Sequence, residues 1–173
     1  SLWLNQAPTP EARDYRYSLQ HDGETRTYLL HVPASYQPGT PVPLVLAFHG
    51  AMGDAEFMKA HYDWVEKSDA EGFLVAFPNG ASRLASGTFA TWNAGACCGY
   101  AWQSQSDDVG FVEAVIEEIR GSFNLSSIFA TGMSNGGMFA HRLACERPDL
   151  FDAIGAVAGT NNFAACEPTE PIS

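Results

Sequence analysis

Long apolar runs are missing from this 173-residue sequence. No stretch approaches the roughly 18 consecutive apolar residues of a membrane-crossing helix, and no basic-then-apolar leader opens the chain. A soluble protein whose leader is already gone is expected, with no membrane partner. Positive charge is also scarce: nine Lys and Arg face twenty Asp and Glu, a formal net charge of −11. Such a chain would repel a phosphate backbone and offers no basic patch for counterion release, which argues against nucleic acid as a partner. Metal-ligand spacing is lacking as well, since Cys97 and Cys98 are adjacent and no paired-histidine motif follows, so no metal is expected. There is no internal repeat and no low-complexity tract. Cysteines are few but even in number: Cys97, Cys98, Cys145 and Cys166 permit two disulfides in three connectivities. Disulfides are the expectation, and with them an oxidising, extracytoplasmic compartment. Two long-range bridges are favoured over a vicinal Cys97 to Cys98 pair.

What is present suffices for a buried core. Hydrophobic residues make up 46% and aromatics 12% of the chain, which fits a single domain over residues 1–173. The first ten residues, "SLWLNQAPTP", read as a proline-punctuated lead-in. "DYRYSLQ" and "TRTYLLHV" then alternate around "HDGE", whose Asp22-Gly23 pair signals a hairpin of two antiparallel strands. Beyond it, short apolar runs bounded by Gly and Pro (44–49, 73–78, 128–132 and 153–159) alternate with segments of helical period at about 54–70, 108–121 and 135–147. The second of these carries Phe111, Val112, Val115, Ile116 and Ile119 on one stripe after an N-capping Asp107 or Asp108. The pattern predicts an α/β domain: a mostly parallel central sheet, helices on both faces, and an N-terminal antiparallel hairpin. Residues 79–106, rich in Gly, Ser and aromatics, are too long for an ordinary crossover.

Gly132-Met133-Ser134-Asn135-Gly136 lies between an apolar run and a helical run. In a strand-turn-helix context, G-x-S-x-G is a nucleophile elbow, in which the glycines let the chain turn sharply and lift the serine hydroxyl above the sheet. The bland alternative is a serine that caps the helix. Acyl transfer also needs donors aimed at the developing oxyanion. The backbone N–H of Asn135 is one candidate, and the loop after the first central strand should supply the other, with Ala51 placed ahead of Met52. His49 in the same loop reads as a structural, hydrogen-bonded histidine and not as the base.

In order and at plausible separations, "LVLAFHG", "AFPNG", "TWNAGACCG", "DDVGFV", "ATGMSNGGMFAHRLACERPDLF" and "AVAG" resemble the secreted esterase family of polyhydroxybutyrate depolymerases and feruloyl and acetylxylan esterases. The resemblance covers residues of about 40 to 166. It implies an α/β-hydrolase fold, secretion, no cofactor, and hydrolysis of carboxylic esters through an acyl-enzyme. It supports Ser134 as nucleophile and the Asn135 and Ala51 amides as the oxyanion hole. It also implies that the cysteines of "ACCG" and "RLACE" are disulfide-bonded, with Cys166 a plausible partner and the pairing unassigned.

A serine nucleophile needs a histidine base and an acid, which in this fold follow it in the chain. After Ser134 the only histidine is His141, which two helical turns carry about 10 Å away. His21, His31, His49 and His61 all precede the serine and read as ordinary surface or hydrogen-bonded residues; Asp149 and Asp152 read as turn and capping residues. The sequence therefore reads as the N-terminal two-thirds of a hydrolase domain, its acid and histidine expected on a missing C-terminal segment or a second polypeptide. Trp92 and Trp102, with Phe89 and Tyr100, are candidate contacts for an ester substrate that could be polymeric. Feruloyl or related esters of plant polysaccharide lead the expectation. The alternatives are a polyhydroxybutyrate-type polyester and a non-catalytic polymer-binding module. "NLS" at Asn124 fits the N-glycosylation pattern.

Overall fold

Alternation shapes the first two strands. The computed structural model describes residues 13–167 and 172–173, so the lead-in read at residues 1–10 lies outside the described residues. β1 (Arg13–His21) and β2 (Glu24–Val32) pair antiparallel from Arg13 opposite Val32 to His21 opposite Glu24. Asp22 and Gly23 join them with φ of 51° and 78°, the doubly left-handed geometry that a two-residue hairpin turn requires.

The remaining strands are β3 (Val42–Phe48), β4 (Leu74–Pro78), β5 (Leu125–Met133) and β6 (Ala153–Val157). The sheet order is β1-β2-β4-β3-β5-β6. β4, β3, β5 and β6 run parallel, and β2 joins β4 antiparallel. The expected mostly parallel sheet with a hairpin on one edge is therefore present.

Period-two alternation splits the side chains between two faces. Leu44, Leu46, Phe48, Leu74 and Ala76 point into one core with α4 (Asp108–Arg120) and α5 (Asn135–Glu146). Ala47, Val75 and Phe77 point into the other, against α1 (Ala55–His61) and α2 (Trp64–Glu71). Burying each such leucine or phenylalanine contributes about 1.5–3 kcal/mol relative to leaving it in water. In α4 the predicted stripe of Phe111, Val112, Val115, Ile116 and Ile119 is buried, and Asp107 caps the first turn by accepting from the Gly110 N–H at 3.1 Å.

Two expectations fail locally. The helix predicted over 54–70 is broken into α1 and α2, because Asp63 takes a left-handed φ of 55°, which aspartate tolerates better than most residues. The preference for two long-range disulfides also fails: Cys97 pairs with Cys98, and Cys145 pairs with Cys166. Cys145 near the end of α5 lies 5.1 Å from Cys166 between Cα atoms, a normal spacing for a bridge. Cys97 and Cys98 sit in a tight turn that folds back on its own stem, with Ala94 N–H donating to Cys97 O and Cys98 N–H donating to Trp92 O. That turn keeps the two with each other.

Candidate active site

β5 runs directly into Ser134 and then α5. Ser134 holds φ 53° and ψ −116°, a conformation that non-glycine residues adopt only when their surroundings enforce it. Here both neighbours enforce it. The Ser134 N–H donates to Val157 O in β6 at 2.8 Å, and Ser134 O accepts from the Met138 N–H at 2.9 Å.

The two glycines of the motif are needed for space. A Cβ on Gly132 would lie 2.3 Å from the carbonyl carbon of Gly136, and a Cβ on Gly136 would lie 2.3 Å from Phe48 O. No side chain fits either position, so the sharp turn and the close seat of α5 on the end of β3 both depend on glycine. The helix-cap alternative does not hold: the Ser134 side chain makes no capping bond, and the residue is exposed.

Around this serine, two backbone donors are open. Asn135 is the first residue of α5, so its N–H has no intrahelical acceptor. Across from it lies the loop that follows β3. A Cβ on Gly50 would lie 3.8 Å from Ser134 Cβ, which places that loop against the elbow. The Met52 N–H is taken by Ala90 O at 2.8 Å, whereas the Ala51 N–H has no acceptor among the described residues. Of the two expected alternatives, Ala51 is the one left open.

His49 orders this loop from beneath. It is fully buried, with Nδ1 at 2.7 Å from Gly50 O and Nε2 accepting from the Gly80 N–H at 3.0 Å. A neutral ring that donates at one nitrogen and accepts at the other satisfies both contacts. Burial pushes the His49 pKa down, which favours that neutral form. Elsewhere, His21 is bound to Asp107, His31 to Asp14 and Asp69, and His61 to Phe57 O. His141, two turns further along α5, lines a hollow with Cys145 and Ile154. No imidazole among the described residues is hydrogen-bonded to Ser134.

The aromatic candidates divide. Trp92 is corrected: it is fully buried, stacked on Phe139 at 4.9 Å and edge-on to Phe48, and its Nε1 donates to His49 O at 3.1 Å. An indole enclosed on both faces cannot meet a substrate. Trp102 on the short helix α3 (Gly99–Gln103) is 42% exposed, but the apolar hollow beside the loop of Ala51 is lined instead by Met52, Leu84, Phe89 and Tyr100.

Several residues that hold the site have no sequence signature. The Asn135 side chain clasps the backbone of Trp92, accepting from its N–H at 2.7 Å and donating to its O at 3.0 Å. Asp108, offered by the sequence alongside Asp107 as the helix cap, is fully buried. It accepts from Arg26 Nη2 at 2.8 Å, from Ser106 Oγ at 2.9 Å and from the Asn93 N–H at 2.7 Å. The Arg26 guanidinium lies 4.1 Å from the Phe111 ring centre. Among the described residues there is no cluster of acids, histidines or cysteines suited to a metal ion, and no helix long and apolar enough to cross a membrane.

Comparison with known proteins gives the chain its family. The esterase family model, described as "Putative esterase", matches residues 20–166. The chain is 36% identical to "Putative esterase NocK" of Nocardia uniformis subsp. tsuyamanensis over 98% of its own length and 48% of that protein. It is 28% identical to "Feruloyl esterase C" of Emericella nidulans over 78% of its length and 46% of that protein. The chain thus spans about half the length of these relatives. Among solved structures, an S-formylglutathione hydrolase from Agrobacterium tumefaciens superposes with a TM-score of 0.70 at 18% identity, covering 88% of this chain and 60% of that one. The fold is that of the α/β-hydrolases, and the chain belongs to the esterase family.

Proposed function

We propose that the protein is a serine carboxylic ester hydrolase acting through an acyl-enzyme, with feruloyl or related esters of plant polysaccharide as substrates. The observation that carries this reading is an exposed, uncapped Ser134 hydroxyl on an enforced backbone, flanked by the open N–H groups of Ala51 and Asn135. Relatives named for esterase activity support the chemistry, and one named for feruloyl esters supports the acyl class.

In this mechanism Ser134 Oγ attacks the ester carbonyl carbon while an imidazole takes its proton. The Ala51 and Asn135 amides receive the negative oxygen, and removing one such donor typically lowers the rate about 10²–10³-fold. The alcohol leaves with the proton, and water then releases the acid by the same steps. His49 is fully engaged beneath the loop and does not serve as the base. The base and its orienting acid come from outside this stretch, in keeping with relatives about twice as long. Two disulfide pairs support an oxidising, extracellular setting.

The test is labelling by a serine-reactive phosphonate, read by peptide mass and paired with ester turnover. The expected result is modification at Ser134 and loss of both labelling and turnover in Ser134→Ala. Turnover that survives Ser134→Ala removes this residue from the mechanism, and a wild-type protein that carries the base-bearing segment yet stays unlabelled and inactive points to a module that only binds.

A further inference from the structure

Two bulky apolar residues, one in the loop that follows β3 and one in the long connection after β4, hold backbone conformations that bulky residues rarely adopt. Met52 has φ of 66° and Phe89 has φ of 55°, both in the left-handed region where a large side chain is disfavoured. Both are also turned to solvent, at 62% and 59% exposure. Backbone strain and exposed apolar surface each work against folding, and strain retained in this way is concentrated at functional sites. Here the two coincide on the walls of one hollow of about 430 Å³.

The walls are fixed to each other. The Met52 N–H donates to Ala90 O at 2.8 Å, and the Ala90 N–H donates to Gly53 O at 3.2 Å. Leu84, 49% exposed, supplies a third apolar wall. The other end is polar: Arg83 Nη2 donates to Gln103 Oε1 at 2.7 Å, and the guanidinium sits 5.4 Å from the Tyr100 ring centre. Arg83 and Tyr100 also border a more polar hollow of about 540 Å³.

We propose that this hollow is the subsite for an aryl group of the ester, its ring gripped by Met52, Leu84 and Phe89 and a polar ring substituent met by Arg83, Tyr100 and Gln103. The proposal rests on the ester-hydrolase reading above. The lining selects the ligand. A saturated chain would desolvate the Arg83 and Gln103 pair without replacing its water, and a sugar would leave three apolar walls unmatched. A flat ring suits thioether and phenyl walls alike, and the volume lies within the range of small-molecule sites. An acetyl group would fill little of it.

Position adds a consequence for rate. Met52 directly follows Ala51, so a ring seated on Met52 bears on the loop that presents the Ala51 donor. Binding at a remote group then acts at the reacting centre, and losing it lowers kcat as well as raising KM.

The experiment compares kcat/KM for methyl 4-hydroxycinnamate (aryl on the acyl side), phenyl acetate (aryl on the alcohol side) and ethyl acetate (no aryl). The proteins are the wild type, Leu84→Ala and Phe89→Gly, the last relieving the left-handed backbone and so leaving the fold safe. The ratio of aryl ester to ethyl acetate should fall about tenfold in both variants, and the ester that falls identifies the side on which the ring is carried. A ratio that stays constant for both aryl esters overturns the subsite while leaving the esterase reading intact. Binding of the two aryl esters to Ser134→Ala, measured by calorimetry, separates the claims in the other direction. Affinity that drops about tenfold on adding Phe89→Gly, where the wild type hydrolyses none of the three esters, keeps the subsite and overturns the esterase reading.

Discussion

The long connection between β4 and α4 contains two adjoining segments of opposite fate, an outer one and an inner one. Residues 82–89 bond mainly to themselves: Leu84 N–H to Ser82 Oγ, Gly87 N–H to Leu84 O, Ser82 Oγ to Thr88 O. They leave Leu84 and Phe89 in solvent. Residues 90–94 are buried and bond to distant elements, to Asn135 through Trp92 and to Asp108 and Arg142 through Asn93. Aromatic character does not separate a contact residue from a structural one. The partners of the backbone do, since a segment tied to the scaffold positions the site, and a segment tied to itself is free to present side chains to a ligand.

The comparison breaks most forcefully at Asp108. Asp108→Ala leaves the nearly buried Arg26 without its counter-charge and should lower stability by about 3–5 kcal/mol in urea unfolding. A loss below about 1 kcal/mol would mean that the inner segment of the loop is held by something else. Next in size is Asn135→Ala, which strips the partners from the Trp92 N–H and C=O and should remove about 1–3 kcal/mol. An unchanged unfolding midpoint would show that water replaces the clasp.

A pH titration probes the histidine beneath the same frame. Burial lowers the His49 pKa in the folded protein, while the unfolded chain titrates near the ordinary value of about 6.5. As pH falls below that value, the unfolded state takes up a proton that the folded state refuses. Stability should therefore drop by up to about 1.4 kcal/mol per pH unit, until the folded pKa is reached. His49→Gln should flatten this part of the profile, and equal slopes for the two proteins would remove His49 as its source. The smallest effect belongs to the outer segment: Leu84→Ala should stay within about 0.5 kcal/mol of wild type. A larger loss would place Leu84 in a core and weaken its assignment as a wall of the subsite.

Much of the scaffold was legible because short-range patterns carry it. Asp22-Gly23 announces its turn, the apolar runs announce a buried parallel sheet, and Gly132, Ser134 and Gly136 announce an elbow whose spatial need for glycine is visible in their contacts. Beyond the helix break at Asp63 and the adjacent cysteine pair, the readings that failed depend on partners far away in the chain. Trp92 looked like a contact residue because nothing nearby in sequence reveals Phe48 and Phe139 around it. Asp108 looked like a candidate cap because Arg26 is 82 positions away. Ala51 stands ahead of Met52 in the sequence reading, and the structure separates them because Ala90 O claims the Met52 amide. Local grammar predicts where the chain turns, and long-range bonding decides which turned residue remains free to act.

Asn135 carries two duties in one residue. Its main-chain N–H faces the site, and its side chain fastens the loop at Trp92. The elbow and the inner segment of the loop therefore behave as a single transplantable part. A graft that moves the 90–94 segment onto another member of the family without the start of α5 would bring a buried tryptophan whose backbone has lost its fastening. The outer segment, 82–89, makes most of its bonds within itself and reaches out through Arg83 to Gln103, so changes there that keep Arg83 can be made without disturbing the inner segment.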